Sequence, residues 1–360
     1  MQQDDEAHRS LTLVRIRWHK KILLAGAACV VAGLLSELLL RAVAPQPPSW
    51  MPLFARHPSK PMFCVAPGLD LVADTGEARW RVCSDRHGLR VGAPGEAADV
   101  DADVLVLGDS FTFGYVVDYL DSVPAQLDQL AGERVSVVNA GQPAYGFQQY
   151  RMHLEHLLEV GFAPRGVLLT SFSGNDMFDA LVDKDQPVAD GIIGNTGGAK
   201  AWLKRTSHLY RLASKVYHSV GDKTDLFAHT TEDLFRPSFW QSSRGARAFA
   251  RCREELRAIT ALCRTRGIEL CLALLPPKAV VAHARGEASY EGPQELDWSL
   301  PHRKFRAAAD DLGLRCVDLT QALAAEPPAA SYFAFDGHLT PAGGALVARA
   351  LFEQCSFLSR

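Results

Sequence analysis

The sequence predicts an α/β protein, a three-layer α/β/α sandwich built on a five-stranded parallel sheet. From residue 101 onward, short apolar runs typical of buried strands alternate with longer segments of helical periodicity. Strands that are apolar throughout are buried on both faces, and their alternation with helices indicates a parallel sheet covered on each side. An apolar N-terminal segment and a long insertion after the third strand add a transmembrane helix and a mainly helical region to this core.

Each element of the sandwich has its own signal in the chain. Strands are predicted at residues 103–107, 134–139, 166–172, 268–275 and 314–319. Helices are predicted at residues 122–131, 145–160, 244–266, 301–312 and 341–355. The helix at 244–266 has apolar residues at spacings of three and four, which form one buried face. The last helix begins with Thr340 as its N-cap and Pro341 in its first turn.

The N-terminal segment predicts a membrane anchor. Residues 22–40 are almost entirely apolar, at the lower end of the length that spans a bilayer. Five basic residues precede them: Arg9, Arg15, Arg17, Lys20 and Lys21. By the positive-inside rule the N-terminus then lies in the cytoplasm, and the rest of the chain lies on the periplasmic side of a bacterial inner membrane.

This prediction divides the chain into four parts. We expect a cytoplasmic N-terminus at 1–21, a single-pass signal anchor at 22–44, and a periplasmic extension at 45–100 that packs on the main domain. The main domain occupies 101–360 and carries an insertion at 177–243.

Two other interpretations of the apolar segment are open. Residues 42–44, Ala-Val-Ala, resemble a signal-peptidase site, although Pro45 would follow the cut. Glu37 would also be compatible with a buried amphipathic helix of a soluble protein. The five basic residues that precede the segment disfavour this alternative. A retained anchor fits the segment best.

Charge and cysteine content exclude some classes of protein. The formal net charge of −3 provides no basic field, so nucleic acid is not an expected partner. The eight cysteines show no CxxC motif and no Cys/His spacing of a zinc site. Cys64 and Cys83 are the disulfide candidates in an oxidising compartment, whereas Cys271 and Cys316 read as small buried hydrophobic residues.

A serine and a histidine far apart in the chain predict nucleophilic catalysis. Gly108-Asp109-Ser110 follows the first strand and leaves a hydroxyl at the edge of the sheet where ligands bind in open α/β folds. Asp336-Gly337-His338 precedes the final helix. His338 would take the proton of Ser110, while Asp336 orients the imidazole and stabilises its charged form. Asp318, in the fifth strand, is a weaker candidate for the acid.

Two further loops provide donors for a developing negative charge. Gly141 ends Asn139-Ala140-Gly141 after the second strand, and Asn175 lies in Ser173-Gly174-Asn175-Asp176 after the third. With the N–H of Ser110, the N–H of Gly141 and the amide of Asn175 would form an oxyanion hole, in which one donor is worth about 3–4 kcal/mol. In the insertion, Trp202 and Trp240 are the aromatic residues expected to meet the substrate. No metal or organic cofactor is implied.

These four segments, in this order, resemble the SGNH or GDSL-type serine hydrolase superfamily over about residues 101–355. The resemblance implies a flavodoxin-like SGNH fold with Ser110 as nucleophile, His338 and Asp336 as its partners, and an oxyanion hole from Ser110, Gly141 and Asn175. The common pattern places two residues between the acid and the histidine, whereas only Gly337 lies between them here. The shorter form resembles membrane-anchored members associated with O-acetylation of polysaccharides.

The sequence therefore predicts a membrane-anchored, extracytoplasmic serine ester hydrolase or O-acyltransferase. Acyl esters of carbohydrate or lipid, acetyl esters among them, are the expected substrates, and envelope polysaccharide machinery is the expected partner. The alternative is a non-catalytic envelope protein that uses the same fold to bind glycans. A nucleotide-binding domain is excluded because the first turn does not have the G-x-G-x-x-G pattern.

Overall fold

The computed structural model describes residues 2–46, 51–182, 184–194, 198–221, 231–287 and 296–359. The chain forms two compact units. The first contains Met1–Ser49 and Gly197–Thr224, and the second contains Trp50–Thr196 and Asp225–Arg360.

The strands are β1 Phe54–Arg56, β2 Phe63–Val65, β3 Asp70–Asp74, β4 Arg79–Ser84, β5 Arg90–Val91, β6 Val104–Gly108, β7 Val137–Gly141, β8 Gly166–Phe172, β9 Val188–Ala189, β10 Ile192–Ile193, β11 Glu269–Leu275 and β12 Arg315–Asp318. The helices are α1 Gln2–Val43, α2 Ser110–Phe113, α3 Val123–Ala131, α4 Phe147–Glu159, α5 Asp176–Asp179, α6 Ala199–Thr206, α7 His208–Gly221, α8 Pro237–Gln241, α9 Ser243–Arg266, α10 Lys278–Ala284, α11 Leu300–Asp311, α12 Thr320–Leu323, α13 Pro328–Ser331 and α14 Pro341–Gln354. Short 3₁₀ helices lie at Tyr119–Asp121, Thr231–Phe235, Gly132–Arg134 and Ser356–Leu358.

The centre of the second unit is a five-stranded sheet in the order β12-β11-β8-β6-β7. All of its neighbouring strands are parallel. The predicted α/β fold is therefore confirmed, and each of the five strands begins within three residues of its predicted start. Because the strands are parallel, the loops that follow β6, β7 and β8 emerge at one edge of the sheet.

Helices cover both faces of this sheet, as the apolar strands require. Leu105 and Leu107 of β6 lie in one hydrophobic cluster, together with residues of α4, α9 and α11. Val104 and Val106 point to the opposite face and lie in a second cluster with residues of α3 and α14. The alternation follows from the two-residue period of a strand, and it makes the central layer apolar on both sides.

The extension before the main domain forms small antiparallel sheets rather than helices. Strands β1 and β2 pair with each other, and β3, β4 and β5 form a three-stranded sheet. Trp80 and Val82 of β4 share a buried cluster with Phe113 and Val116, which follow the first strand of the main sheet. The extension thus packs directly behind the Gly-Asp-Ser turn.

The first unit joins helix α1 to helices α6 and α7 of the insertion. Residues Trp18–Val43 are long and apolar enough to cross a membrane, with a mean hydropathy of 2.2. The Glu37 carboxylate accepts hydrogen bonds from Ser207 Oγ and from the N–H groups of His208 and Leu209, each at 2.8 Å. Glu37 therefore caps the N-terminus of α7, which explains an acidic residue within an apolar segment.

A cluster of three histidines is buried between the extension and α4. The rings of His57 and His156 are 4.4 Å apart, and His153 is almost fully buried. Within the described part of the chain, neither ring nitrogen of His153 has a hydrogen-bond partner. Burial lowers the pKa of His153 to about 3 and that of His57 to about 4, so both are neutral at pH 7.

Acid should destabilise the protein through His153. The folded-state pKa of His153 lies below its unfolded value. Its contribution to the unfolding free energy is therefore fully present above about pH 6.5 and is lost as the pH falls toward 3. Between pH 7 and pH 5, we expect the wild type to lose about 2 kcal/mol more unfolding free energy than His153→Phe. Urea unfolding in detergent at the two pH values measures the difference. The exposed His283→Gln should behave as wild type, and an equal loss in His153→Phe would contradict the assignment.

Candidate active site

Ser110 lies at the carboxyl end of β6, at the start of α2. Asp109 caps this short helix, since its Oδ1 accepts the N–H of Phe111 at 2.9 Å. A Cβ on Gly108 would lie 2.0 Å from Thr112 Oγ1 and 2.1 Å from Thr170 Oγ1. Glycine thus provides the space that the Thr112 and Thr170 side chains occupy beside the end of β6.

His338 and Asp336 meet this serine from the loop before α14. His338 Nε2 is 2.7 Å from Ser110 Oγ, and His338 Nδ1 is 2.5 Å from Asp336 Oδ1. The intervening Gly337 has a φ of +82°, a left-handed conformation that favours glycine. This conformation accommodates a single residue between the acid and the histidine.

The surroundings of His338 fix its ring. It packs against Phe111 and Tyr115, with ring centroids 4.5 Å and 5.1 Å away. Burial opposes ionisation of Asp336, but the hydrogen bond and the charge of His338 outweigh it and lower the pKa of Asp336. An ionised Asp336 accepts a hydrogen bond from the Nδ1–H of His338. This places the proton of the neutral ring on Nδ1 and leaves Nε2 free to take the hydroxyl proton of Ser110.

Asp318, the weaker candidate for the acid, serves another histidine. Its Oδ1 is 2.9 Å from His302 Nδ1, and His302 Nε2 is 2.9 Å from Ser173 Oγ. Burial opposes ionisation of Asp318, but hydrogen bonding and charge from His302 hold its pKa well below the usual range. The structure therefore pairs Asp318 with His302 and not with His338.

This second Ser-His-Asp arrangement is buried, and sequence reasoning missed it. Ser173 and His302 are 6% and 5% exposed, so the Ser173 hydroxyl has no open side for a substrate. The Ser173 N–H also bonds Leu275 O at 3.0 Å, which ties the loop after β8 to β11. Because that loop continues into Asn175, the network braces a predicted oxyanion donor.

Two of the three predicted oxyanion donors, Gly141 and Asn175, differ in their present bonding. The Gly141 N–H donates to Asn139 Oδ1 at 3.0 Å, so its use by a substrate requires this bond to be shared or released. A Cβ on Gly141 would lie 2.3 Å from the N of Phe113, so glycine is also needed for close packing of β7 against α2. Asn175 is partly buried, and its Oδ1 has no partner within the described residues.

The two tryptophans lie in different surroundings. Trp202 is 57% exposed on α6, in the first unit. Trp240 packs against Phe249 at 5.2 Å, and its indole N–H donates to Leu234 O at 2.7 Å. Trp240 is thus partly buried against the core of the second unit, with its indole N–H already bonded, and its contact with substrate stays a prediction.

A cavity of about 220 Å³ of empty space, part of it open to solvent, borders the base. Phe111, Tyr115, Val123, His338 and Leu339 contribute to its lining. Metal-binding clusters of three or more His, Cys, Asp or Glu side chains do not occur among the residues that the structure describes.

The extension supplies two charged side chains to the catalytic loops. The Glu77 carboxylate accepts the N–H groups of Ala334 at 2.6 Å, Phe335 at 3.1 Å and Asp336 at 2.8 Å. Buried Arg90 donates to Phe113 O at 2.7 Å, just after Ser110. Sequence reasoning missed both residues, because nothing in their local patterns points to loops so distant in the chain.

Replacing Glu77 by alanine should lower kcat about tenfold or more with little change in KM. The three N–H groups would lose a charged acceptor worth about 1.5–3 kcal/mol for each hydrogen bond, and the Asp336–His338 turn would lose its alignment. Glu77→Gln should retain part of the rate, because an amide oxygen still accepts. Steady-state kinetics measures the difference, with the exposed Glu96→Ala of the same extension as control. A wild-type kcat for Glu77→Ala would contradict this role.

Comparison with known proteins places part of the chain in a described family model. Residues 231–357 match the family model described as "SGNH hydrolase-like domain, acetyltransferase AlgX". The resemblance to the SGNH hydrolase superfamily is confirmed. The matched part of this SGNH-like chain contains Asp336 and His338, and Ser110 lies before it.

Solved structures similar to this SGNH-like chain are distant in sequence. An acetyl xylan esterase is 13% identical, with a TM-score of 0.40, over 70% of this chain and 99% of its own. A mutant of an acetyl-xylooligosaccharide esterase from Geobacillus Stearmophilus is 14% identical, with a TM-score of 0.40, over 71% and 94%. A lipase/acylhydrolase from Enterococcus faecalis is 19% identical, with a TM-score of 0.36, over 69% and 94%. No curated protein has a significantly similar sequence.

Proposed function

We propose that the protein is a serine ester hydrolase or O-acyltransferase that acts on acetyl and related acyl esters of carbohydrate or lipid. The observation that carries this proposal is the chain of hydrogen bonds from Ser110 Oγ through His338 to Asp336, with heavy-atom distances of 2.7 Å and 2.5 Å. A protein that only binds glycans would have no use for a serine hydroxyl aligned on an oriented imidazole.

The first half of the reaction transfers the acyl group to the enzyme. His338 Nε2 takes the Ser110 proton as Oγ attacks the ester carbonyl carbon. The N–H of Ser110 and the side-chain amide of Asn175 donate to the oxygen that becomes negative. The tetrahedral intermediate collapses, the C–O bond to the alcohol breaks, and His338 returns the proton to the departing alkoxide.

The second half releases the acyl group. His338 deprotonates a water molecule or a sugar hydroxyl, whose oxygen attacks the acyl-enzyme carbonyl. Water gives hydrolysis, and a sugar hydroxyl gives a new ester. In both cases Ser110 recovers its proton from His338.

The acetyl group and the site of action are part of the proposal. The matched family model names an acetyltransferase, which supports acetyl as the acyl group. Helix Trp18–Val43 supports a retained anchor, and the basic residues before it support a periplasmic catalytic unit. A periplasm-dependent reporter at the carboxyl terminus should be active, and a signal from a cytoplasm-only reporter there would overturn the orientation.

Covalent labelling tests the function directly. The full-length protein in detergent should react with a fluorophosphonate probe, and peptide mapping should locate the probe on Ser110. It should hydrolyse p-nitrophenyl acetate faster than the butyrate or octanoate ester, and an oligosaccharide added as acceptor should reveal any transfer by mass spectrometry. No labelling together with no turnover of any ester would favour the glycan-binding alternative.

A further inference from the structure

Two cysteines from distant parts of the chain meet in the core of the second unit. Cys271 lies in β11 and Cys355 directly follows α14, 84 residues later. Their Sγ atoms are 3.0 Å apart, and each residue is about 1% exposed. The sequence indicated only a small buried hydrophobic residue at 271 and favoured Cys64 with Cys83 as a pair. All four of these cysteines are free thiols in the structure, and Cys271 and Cys355 are the two whose sulfur atoms are in contact.

We propose that Cys271 and Cys355 form a structural disulfide in the protein of the cell envelope. The inference rests on the extracytoplasmic placement within the proposed function, because disulfides persist in oxidising compartments. Both sulfur atoms lie in the hydrophobic cluster under α14, where Val347 and Leu351 also pack. A covalent bond here would replace a contact that already exists and would not pull distant elements together.

The bond forms by exchange with a disulfide oxidant, such as an oxidised dithiol protein of the envelope. One cysteine thiolate attacks the oxidant, forms a mixed disulfide and releases one oxidant thiol. The second cysteine attacks the mixed disulfide, so the protein disulfide forms and the second oxidant thiol leaves. Overall, two electrons and two protons pass from the cysteine pair to the oxidant, which leaves as a dithiol.

Folding and oxidation should be coupled at this site. The hydrogen bond to Cys355 and the surrounding burial hold the pKa of Cys271 well above the ordinary value. In the folded, reduced protein Cys271 therefore provides little of the thiolate that exchange requires, and its burial keeps an oxidant away. We expect the bond to form while the chain folds and to resist reductants afterwards, until a denaturant opens the core.

The cross-link would fix the element that follows the catalytic base. Helix α14 begins at Pro341, three residues after His338, and ends at Gln354, directly before Cys355. A bond from Cys355 to the central sheet would hold this helix at its far end, while Thr340 caps its beginning through the Gly343 N–H at 3.1 Å. The closed segment contains both Asp336 and His338.

Mass spectrometry of the native protein tests this proposal. The full-length chain is taken from membranes into denaturant with an alkylating reagent and no reductant. We expect a Cys271–Cys355 cross-linked peptide and six alkylated cysteines of the eight. Alkyl groups on both Cys271 and Cys355, or a Cys64–Cys83 peptide in their place, would overturn it. The periplasm-dependent reporter and the labelling of Ser110 are separate measurements, so failure of the extracytoplasmic placement or of the catalytic function would be recognised independently.

Variants provide the second readout. Reduction in denaturant followed by refolding with reductant should lower the Tm of the wild type by several degrees, as loss of a cross-link over a long loop does. The double variant C271A/C355A should have a Tm that does not change under this treatment, whereas C316A, a partly buried neighbour in β12, should respond like the wild type. An equal Tm for oxidised and reduced wild type would contradict the bond.

Discussion

Alanine in place of Ser110 or His338 is expected to reduce ester turnover by about 10⁴-fold or more, to the residual rate that binding and oxyanion donors support. Ser110 Oγ is the only hydroxyl bonded to His338 among the described residues, at 2.7 Å, so alanine at either position removes this pair. Because the two residues act as one unit, the double variant should be no slower than either single variant. Steady-state kinetics on p-nitrophenyl acetate measures the loss.

Replacing Asp336 and Asp318 in turn by asparagine would show which of the two is the catalytic acid. Asp336→Asn should lower kcat by about 10⁴-fold, since an amide cannot hold the His338 tautomer that accepts the serine proton. Asp318→Asn should leave fluorophosphonate labelling of Ser110 within a fewfold of wild type, because Asp318 bonds His302 at 2.9 Å. Its main effect should be a lower Tm. A reversed order of the two variants would make Asp318 the catalytic acid.

Asn175→Ala is expected to lower kcat by about 10²–10³-fold while changing KM little. The lost amide donor acts on the oxygen only when negative charge develops there, so its contribution belongs to the transition state. The exposed Gln148→Ala on α4 removes an amide of similar size and should leave kcat unchanged.

The kinetics of Asn175→Ala would also show how much the Gly141 N–H contributes to oxyanion stabilisation. A loss of less than about fivefold in Asn175→Ala, with Ser110 still reactive toward fluorophosphonate, would show that the oxyanion is held elsewhere. Release of the Gly141 N–H from Asn139 Oδ1 would then be the main source of stabilisation. If KM rose while kcat stayed constant, Asn175 would instead bind the substrate equally in the ground state and the transition state.

The fold was predictable because the five central strands are buried on both faces. Each is a short apolar run, and such runs stand out whatever the tertiary contacts are. The meeting of Ser110 with His338 was predictable for a related reason: loops at the carboxyl edge of a parallel sheet converge. Within this pair of loops, the sequence did not show how Asp336 and His338 could meet with a single residue between them. The structure shows that Gly337 adopts a left-handed conformation, which allows it.

Contacts that sequence could not predict all join segments without a shared pattern. Glu77 meets a loop 259 residues later, and Cys271 meets Cys355, 84 residues later. Each residue alone has an ordinary local interpretation, as an exposed acid in a turn or as a small residue in a strand. The packing of Trp240 against Phe249, with ring centroids 5.2 Å apart, was equally invisible in the sequence of the insertion.

A fragment cut just before β6 would retain every residue of the four family motifs and yet lose Glu77 and Arg90. A piece of this chain that keeps both contacts therefore starts upstream of the motifs, before Glu77. Trimming at the first motif would keep Ser110 and His338 but would remove the hydrogen bonds that Glu77 and Arg90 make to their loops.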